Sequence, residues 1–316
     1  MLATTSTMCR GERENPSMDP GLQHRLRDVE THFIDALLDE PDPDAEVDGE
    51  LEQSVTAQLA DGPPPVPRLP SVIPKIFEHM DSGRGSATDF IRQDPGLVGQ
   101  VLRVANSAYY RRGNREVESL EQAVLVLGES GLQAALAQAA LLPILAVNTP
   151  PLNTLGPGLW QHATRSAATC QVVATARGME PFSANLLGLV HDIGRLAIVR
   201  LSHHQAKRLE RPLDPATARR LMGRHGPRVS HQVGEQWQLP APLRDAMAER
   251  AEGVTPCRLS DAGRVLFWGA LASQLGHLVV RGREDTAEAR RLLTETELDA
   301  ALAERVMRTA ATPVDA

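Results

Sequence analysis

The chain predicts an all-α protein: two helical lobes behind an acidic leader. Three observations point there. Apolar residues recur at helical spacing along most of the sequence. Capping residues and Pro/Gly breaks punctuate that spacing. No convincing run of alternating strand residues is present, and aromatics make up only 3% of an Ala- and Leu-rich chain, which favours aliphatic helix packing over a β-sandwich.

Taken in order, residues 1–20 are rich in Ser, Thr, Pro and charge and read as disordered. Leu26, Val29, Phe33, Ile34, Leu37 and Leu38 mark a helix over residues 21–39, broken by alternating prolines and acids from Glu40 to Glu46. A second short helix covers Leu51 to Leu59. Gly62 to Pro70, with five prolines, is a stiff extended linker and the expected domain boundary. The domains read as an acidic leader (1–64), an N-terminal helical lobe (65–150), a second helical lobe (151–282) and a C-terminal helical extension (283–316).

In the first lobe, Ser86 and Asp94-Pro95 are helix-start signals, and Asn106-Ser107 reads as a stop because Asn tolerates the left-handed conformation. Ser119 to Gln122 is a capping box opening a helix that ends at Gly128. Leu132 to Ala146 is a long Ala/Leu helix with a kink expected at Pro143. Breakers at Thr149-Pro150-Pro151 and Gly156-Pro157 separate the lobes. Further helices are expected over 160–177, 184–201, 215–222, 230–238, 242–249, 261–280 and 295–308.

The net charge of −7 is uneven: residues 1–64 hold 15 acids and 4 bases, residues 65–316 hold 25 acids and 29 bases. The body is mildly basic, without the dense stripe of a nucleic-acid binder, so nucleic acid is not an expected partner. The leader should dock on the body mainly through its apolar face, with weak electrostatic help. Cys9, Cys170 and Cys257 are scattered and odd in number, which suggests no disulfide framework and a cytoplasmic setting. No apolar run of membrane-spanning length and no signal peptide is read.

One stretch carries chemistry. His191 and Asp192 end the apolar run from Leu187 and precede Gly194. Adjacent His and Asp side chains can ligate one divalent metal, and the following Gly permits close backbone approach. His162 lies 29 residues earlier, near the start of another helix. Plain structural roles compete: His162 as a capping or solvated residue, Asp192 as a helix cap. Asn106 and Arg103 read as architecture rather than a ligand surface. His203-His204 follows an expected helix end at Leu201-Ser202 and reads as solvated, and the basic run from Arg219 to Arg224 reads as a helix surface.

Leu69-Pro70-Ser71-Val72-Ile73-Pro74, Asp94-Pro95-Gly96-Leu97, Val104-Ala105-Asn106-Ser107-Ala108, the segment Leu120 to Gly128, and Gly188 to Gly194 together resemble the HDOD family, an output domain related to the HD phosphohydrolases. The resemblance spans residues 66–280. It implies an all-helical fold whose second lobe is HD-like, and a bacterial regulatory role, often beside cyclic-di-GMP signalling or two-component systems. HD phosphohydrolases use a His…His-Asp…Asp ligand set. His162, His191 and Asp192 match its first three members. The fourth position aligns with Ala270, which cannot ligate, and Asp261 lies more than two turns away. A two-metal variant would enlist His231, but its expected His-His pair is replaced by Glu249-Arg250-Ala251. The expected function is a non-catalytic signalling module acting through protein or small-ligand binding, with a signalling protein as partner and no required cofactor. The alternative is a metal-dependent phosphohydrolase with an incomplete site, for which a divalent metal on His162, His191 and Asp192 is the candidate cofactor.

Overall fold

A computed structural model of the chain describes residues 9–10, 17–38, 45–82, 87–92, 95–107, 116–145, 152 and 155–312. Its architecture is all-α. Cys9–Arg10 (β1) and Ser17–Met18 (β2) pair antiparallel within the stretch predicted to be disordered.

The leader forms two helices. In α1 (Pro20–Leu37), the Asp19 carboxylate accepts from the Gly21 and Leu22 amides and Pro20 fits the first turn. Leu22, Val29, Phe33, Ile34 and Leu37 line its buried face. Asp48 caps α2 (Gly49–Ala60) in the same way, and Leu51, Val55 and Leu59 are buried at helical spacing. The expected apolar docking is therefore present. The electrostatic part exceeds expectation: Asp35 pairs with Arg219, Asp48 and Glu50 with Arg211, and Glu52 with Arg220 and Arg224. The basic run is thus a docking face for the leader. The linker from Gly62 to Pro70 lies in no helix or strand, and the Trp237 indole donates to Pro67 O at 2.9 Å.

The first lobe contains α3 (Val72–Ser82), α4 (Ala87–Arg92), α5 (Pro95–Ala105) and α6 (Leu120–Leu145). Ser86 and Asp94 lie outside the described residues. Asn106 does end α5, but without left-handed backbone. Its side chain instead spans to the next segment, donating to Val117 O at 2.8 Å and accepting from Val117 N at 2.7 Å. At the capping box, Ser119 Oγ accepts from Gln122 N at 3.2 Å. The expected stop at Gly128 appears as a break within α6, where φ is 67°. Most of the expected lobe boundary, residues 146–151 and 153–154, lies outside the described residues.

The second lobe is built on α7 (Leu155–Ala176), flanked by α8 (Pro181–Val190), α12 (Asp261–Val280) and α14 (Ala300–Ala310). Beside it, α9 (Ile193–Arg208) packs on α10 (Pro215–Gln236), followed by α11 (Ala241–Ala251), with α13 (Thr286–Glu295) leading into α14. Four expectations change here. The helix predicted over 184–201 is two helices, divided at His191-Asp192. Its second part runs on to Arg208, so His203 and His204 are helical; His203 is half-buried and His204 exposed. The two helices predicted over 215–238 are one, continuing through Pro227. Glu295 ends a helix that the spacing did not reveal, rather than starting one.

By length and composition alone, Leu120–Leu145 and the α8–α9 stretch Pro181–Arg208 are apolar enough to cross a membrane. The second is 94% buried within the fold, where its apolar character serves the core. Cys257 is disulfide-bonded, so the expectation of no disulfide does not hold; Cys170 is a free thiol. Burial pushes that thiol up to about 12, which leaves it an inert core group.

Candidate functional site

His191 and Asp192 occupy the corner between α8 and α9, and two glycines set that corner. A Cβ on Gly188 would lie 2.4 Å from Ser166 O of α7, and one on Gly194 would lie 2.2 Å from Gly226 O of α10. Only glycine lets the corner sit this close to both neighbours. The Gly194 amide donates to Ser230 Oγ at 2.9 Å, which ties the start of α9 to α10.

The corner meets His162, which lies in the third turn of α7 and is fully buried. This removes the capping and solvated alternatives for His162. Asp192 makes no side-chain cap hydrogen bond, so its carboxylate is not used to cap α9. One ligand atom from each of His162, His191 and Asp192 lies within 4.8 Å of the others. Each imidazole is fixed through its far nitrogen. His162 Nδ1 lies 2.9 Å from Ser273 Oγ, whose hydroxyl donates to His162 O at 3.1 Å. His191 Nδ1 lies 2.8 Å from Gly188 O. With Nδ1 protonated in both rings, the Nε2 lone pairs turn toward Asp192, the usual arrangement around metal-binding imidazoles.

His162 Nε2, His191 Nε2 and Asp192 Oδ2 are buried and lack a hydrogen-bond partner of good geometry. Three electron pairs thus converge on one point, and these residues fit three ligands of a divalent cation. Among the described residues no fourth ligand joins them: Ala270 stands one turn before Ser273 on α12 and offers no donor atom. Asp261 is exposed and pairs with Arg264 at 3.8 Å. His231 is half-exposed, faces Glu235 at 3.6 Å and takes no part.

Arginines occupy the polar side of the site. Arg195 Nε lies 3.1 Å from Asp192 Oδ2, and Arg250 donates to Asp192 Oδ1 at 3.1 Å. Arg195 is fully buried and also bonds Glu30 of α1, which lies 3.7 Å from Arg250. The four groups carry no net charge.

Burial opposes ionisation of Asp192, but Arg195 and Arg250 outweigh it and hold its carboxyl well below the usual range. Burial likewise opposes ionisation of Glu30, and the same arginines lower it. Burial pushes His191 down to about 3 against the attraction of Asp192, and lowers His162 as well. The 3.3 Å approach of His162 to Asp192 is therefore a neutral imidazole beside a carboxylate, not an ion pair. Phe33 of α1 closes the site, with its ring 4.4 Å from that of His162 and 5.4 Å from that of His277.

Sequence reasoning brought together His162, His191 and Asp192 and missed Arg195, Arg250, Glu30 and Phe33. One signal was available: Arg195 is the lone charge in the apolar run from Leu196 back to Ile193 and on to Val199. Arg250 stands within the segment read only as an absent His pair.

The chain matches the HDOD domain family over residues 64–252. The resemblance read from the sequence extends to 280, so α12 lies beyond the match. An uncharacterized protein of Treponema pallidum (strain Nichols) is 26% identical over 203 residues, or 60% of this chain. The chain spans 38% of that relative's length. Among solved structures, a Shewanella amazonensis SB2B protein provisionally described as a metal-dependent phosphohydrolase has a TM-score of 0.56 at 18% identity, covering 83% of this chain and 98% of its own. A Marinobacter aquaeolei VT8 protein provisionally described as a signal transduction protein has a TM-score of 0.51 at 22% identity, covering 92% and 64%. At these identities the likeness speaks for the fold, and the family rests on a match over more than half of the sequence: this chain belongs to the HDOD domain family.

Proposed function

We propose that this chain is a non-catalytic signalling module whose HD-type pocket is neutralised by its own arginines. The observation that carries the reading is Asp192, paired on both carboxylate oxygens with Arg195 and Arg250. A divalent ion bound to Asp192 would stand close to both guanidinium groups. At roughly 4 Å, repulsion between a dication and one guanidinium is about 8 kcal/mol at an effective dielectric of 20. With a ligand missing at Ala270, that repulsion opposes binding. Phe33 and Glu30 of α1 cover the pocket on one side, against the His162 ring and the two arginines, so a substrate entering from that side would have to displace α1. In this reading the module acts through a protein partner or small ligand, in the setting of cyclic-di-GMP signalling that the family resemblance implies.

A second reading has its own support. The unpartnered Nε2 atoms of His162 and His191, with the Asp192 carboxylate beside them, favour a cation, as a metal-dependent phosphohydrolase requires. A metal bound there would activate water and neutralise phosphate charge, while Ser273 and Gly188 O orient the two imidazoles.

The deciding assay incubates the full chain with manganese and either cyclic-di-GMP or bis(p-nitrophenyl) phosphate. The regulatory reading expects no hydrolysis above the His191→Ala background. Robust hydrolysis that disappears in His191→Ala would overturn it.

A further inference from the structure

A cavity of about 260 Å³ lies beside the site, between α1, the end of α11 and α12. Its walls include Met18 and Leu26 from the leader side and Leu266, Phe267 and Ala270 from α12. Most of the surface is apolar, as expected of a small-molecule site. The residues that form it fall largely outside the 64–252 family match, in the leader and the C-terminal helices.

Some of its polar groups lack protein partners. Gln274 lines the cavity, is only 5% exposed and makes no hydrogen bond among the described residues. Thr255 Oγ1, also of a lining residue, is buried without a partner, as is Arg250 Nε. The Gln274 amide therefore keeps its donor and acceptor capacity for a bound molecule in the cavity. Glu30 and Arg250 are occupied by their mutual network. At the rim, Arg27 is exposed and its guanidinium has no ion-pair partner among the described residues.

We infer that this cavity binds a small flat ring carrying an amide-type edge and a single negative charge. The amide edge pairs with Gln274 and Thr255, the ring lies between Leu26 and Phe267, and the anionic group reaches Arg27. Because the roof is α1, a bound ligand would bear on the helix that closes the His-Asp pocket. The inference deepens the regulatory reading by giving it a ligand class. Binding is measured without hydrolysis, so the inference can fail while that reading stands.

The test uses the full chain and three probes by ligand-observed NMR titration: 4-carbamoylbenzoate, benzamide without the anion, and benzoate without the amide. The expected order is 4-carbamoylbenzoate tightest, then benzamide, then benzoate. Gln274→Leu should weaken 4-carbamoylbenzoate about tenfold, equivalent to one lost hydrogen bond. Arg27→Ala should weaken it about threefold and leave benzamide unchanged, since an exposed charge contributes little. Circular dichroism checks that each variant folds. If Gln274→Leu does not, Thr255→Val replaces it, with weaker binding again expected. No binding of either amide to the unmodified chain, or equal binding to the folded cavity variant, would overturn the inference.

Discussion

The two leader helices dock on the same body by different chemistry. Helix α1 places Phe33 against His162 and His277 and sends Glu30 into the arginine pair around Asp192. Helix α2 buries Leu51, Val55 and Leu59, but its acids meet Arg211, Arg220 and Arg224 at the surface. The same acidic leader thus uses carboxylates in two settings. Beside Asp192, water is largely excluded and a missing partner leaves a buried charge. Along α2, solvent and salt screen the pairs, and each contributes little. The contrast makes α1 a part of the site and α2 a strap.

The largest effect expected to separate the two comes from Arg195. Arg195→Ala leaves Asp192 and Glu30 short of a partner and should cost about 3–5 kcal/mol in urea unfolding. Phe33→Ala follows, at about 3–4 kcal/mol, because it empties a fully buried aromatic site. It should also speed proteolysis within residues 21–38, whereas Glu52→Ala should not. If both variants expose α1 equally, the two docking modes are not distinct.

Acid should act on the α1 side more than on the strap. His191 and His277 are each held near 3, chiefly by burial. Their folded values lie below the unfolded value near 6.5, so the unfolded chain binds more protons. The stability they support is complete above pH 6.5 and is lost as pH falls from there toward 3. Each group contributes up to about 1.4 kcal/mol per pH unit. Unfolding free energy at pH 5 should be clearly below that at pH 7.5, and His277→Phe should flatten the slope. A slope unchanged in that variant would remove His277 from the explanation. The smallest effect is Glu52→Ala, within about 1 kcal/mol and shrinking further in high salt.

The sequence exposed this site unevenly, for physical reasons. Periodicity and caps located most helices, and α12 agrees with the predicted Asp261 to Val280 at both ends. The corner at His191-Asp192 does not read as a break from sequence because apolar residues flank it and its glycines, Gly188 and Gly194, read as close packing rather than as helix stops. The break comes from close packing of α8 on α7 and α9 on α10, which no local pattern records. Asn106 was read as a left-handed stop, but its function is a tertiary clamp on Val117. His162, His191 and Asp192 could be grouped because one motif links them. Glu30 and Arg250 are 220 positions apart in the chain, and only the docking of α1 brings them together.

In the proposed reading, arginine charge rather than a metal ion balances Asp192. The most direct measurement is elemental analysis of the full chain after equilibration with manganese and iron and removal of loose ions by gel filtration. The expected result is far less than one ion per chain, with no difference between the unmodified protein and His191→Ala. One tightly held ion per chain, lost in His191→Ala, would contradict it.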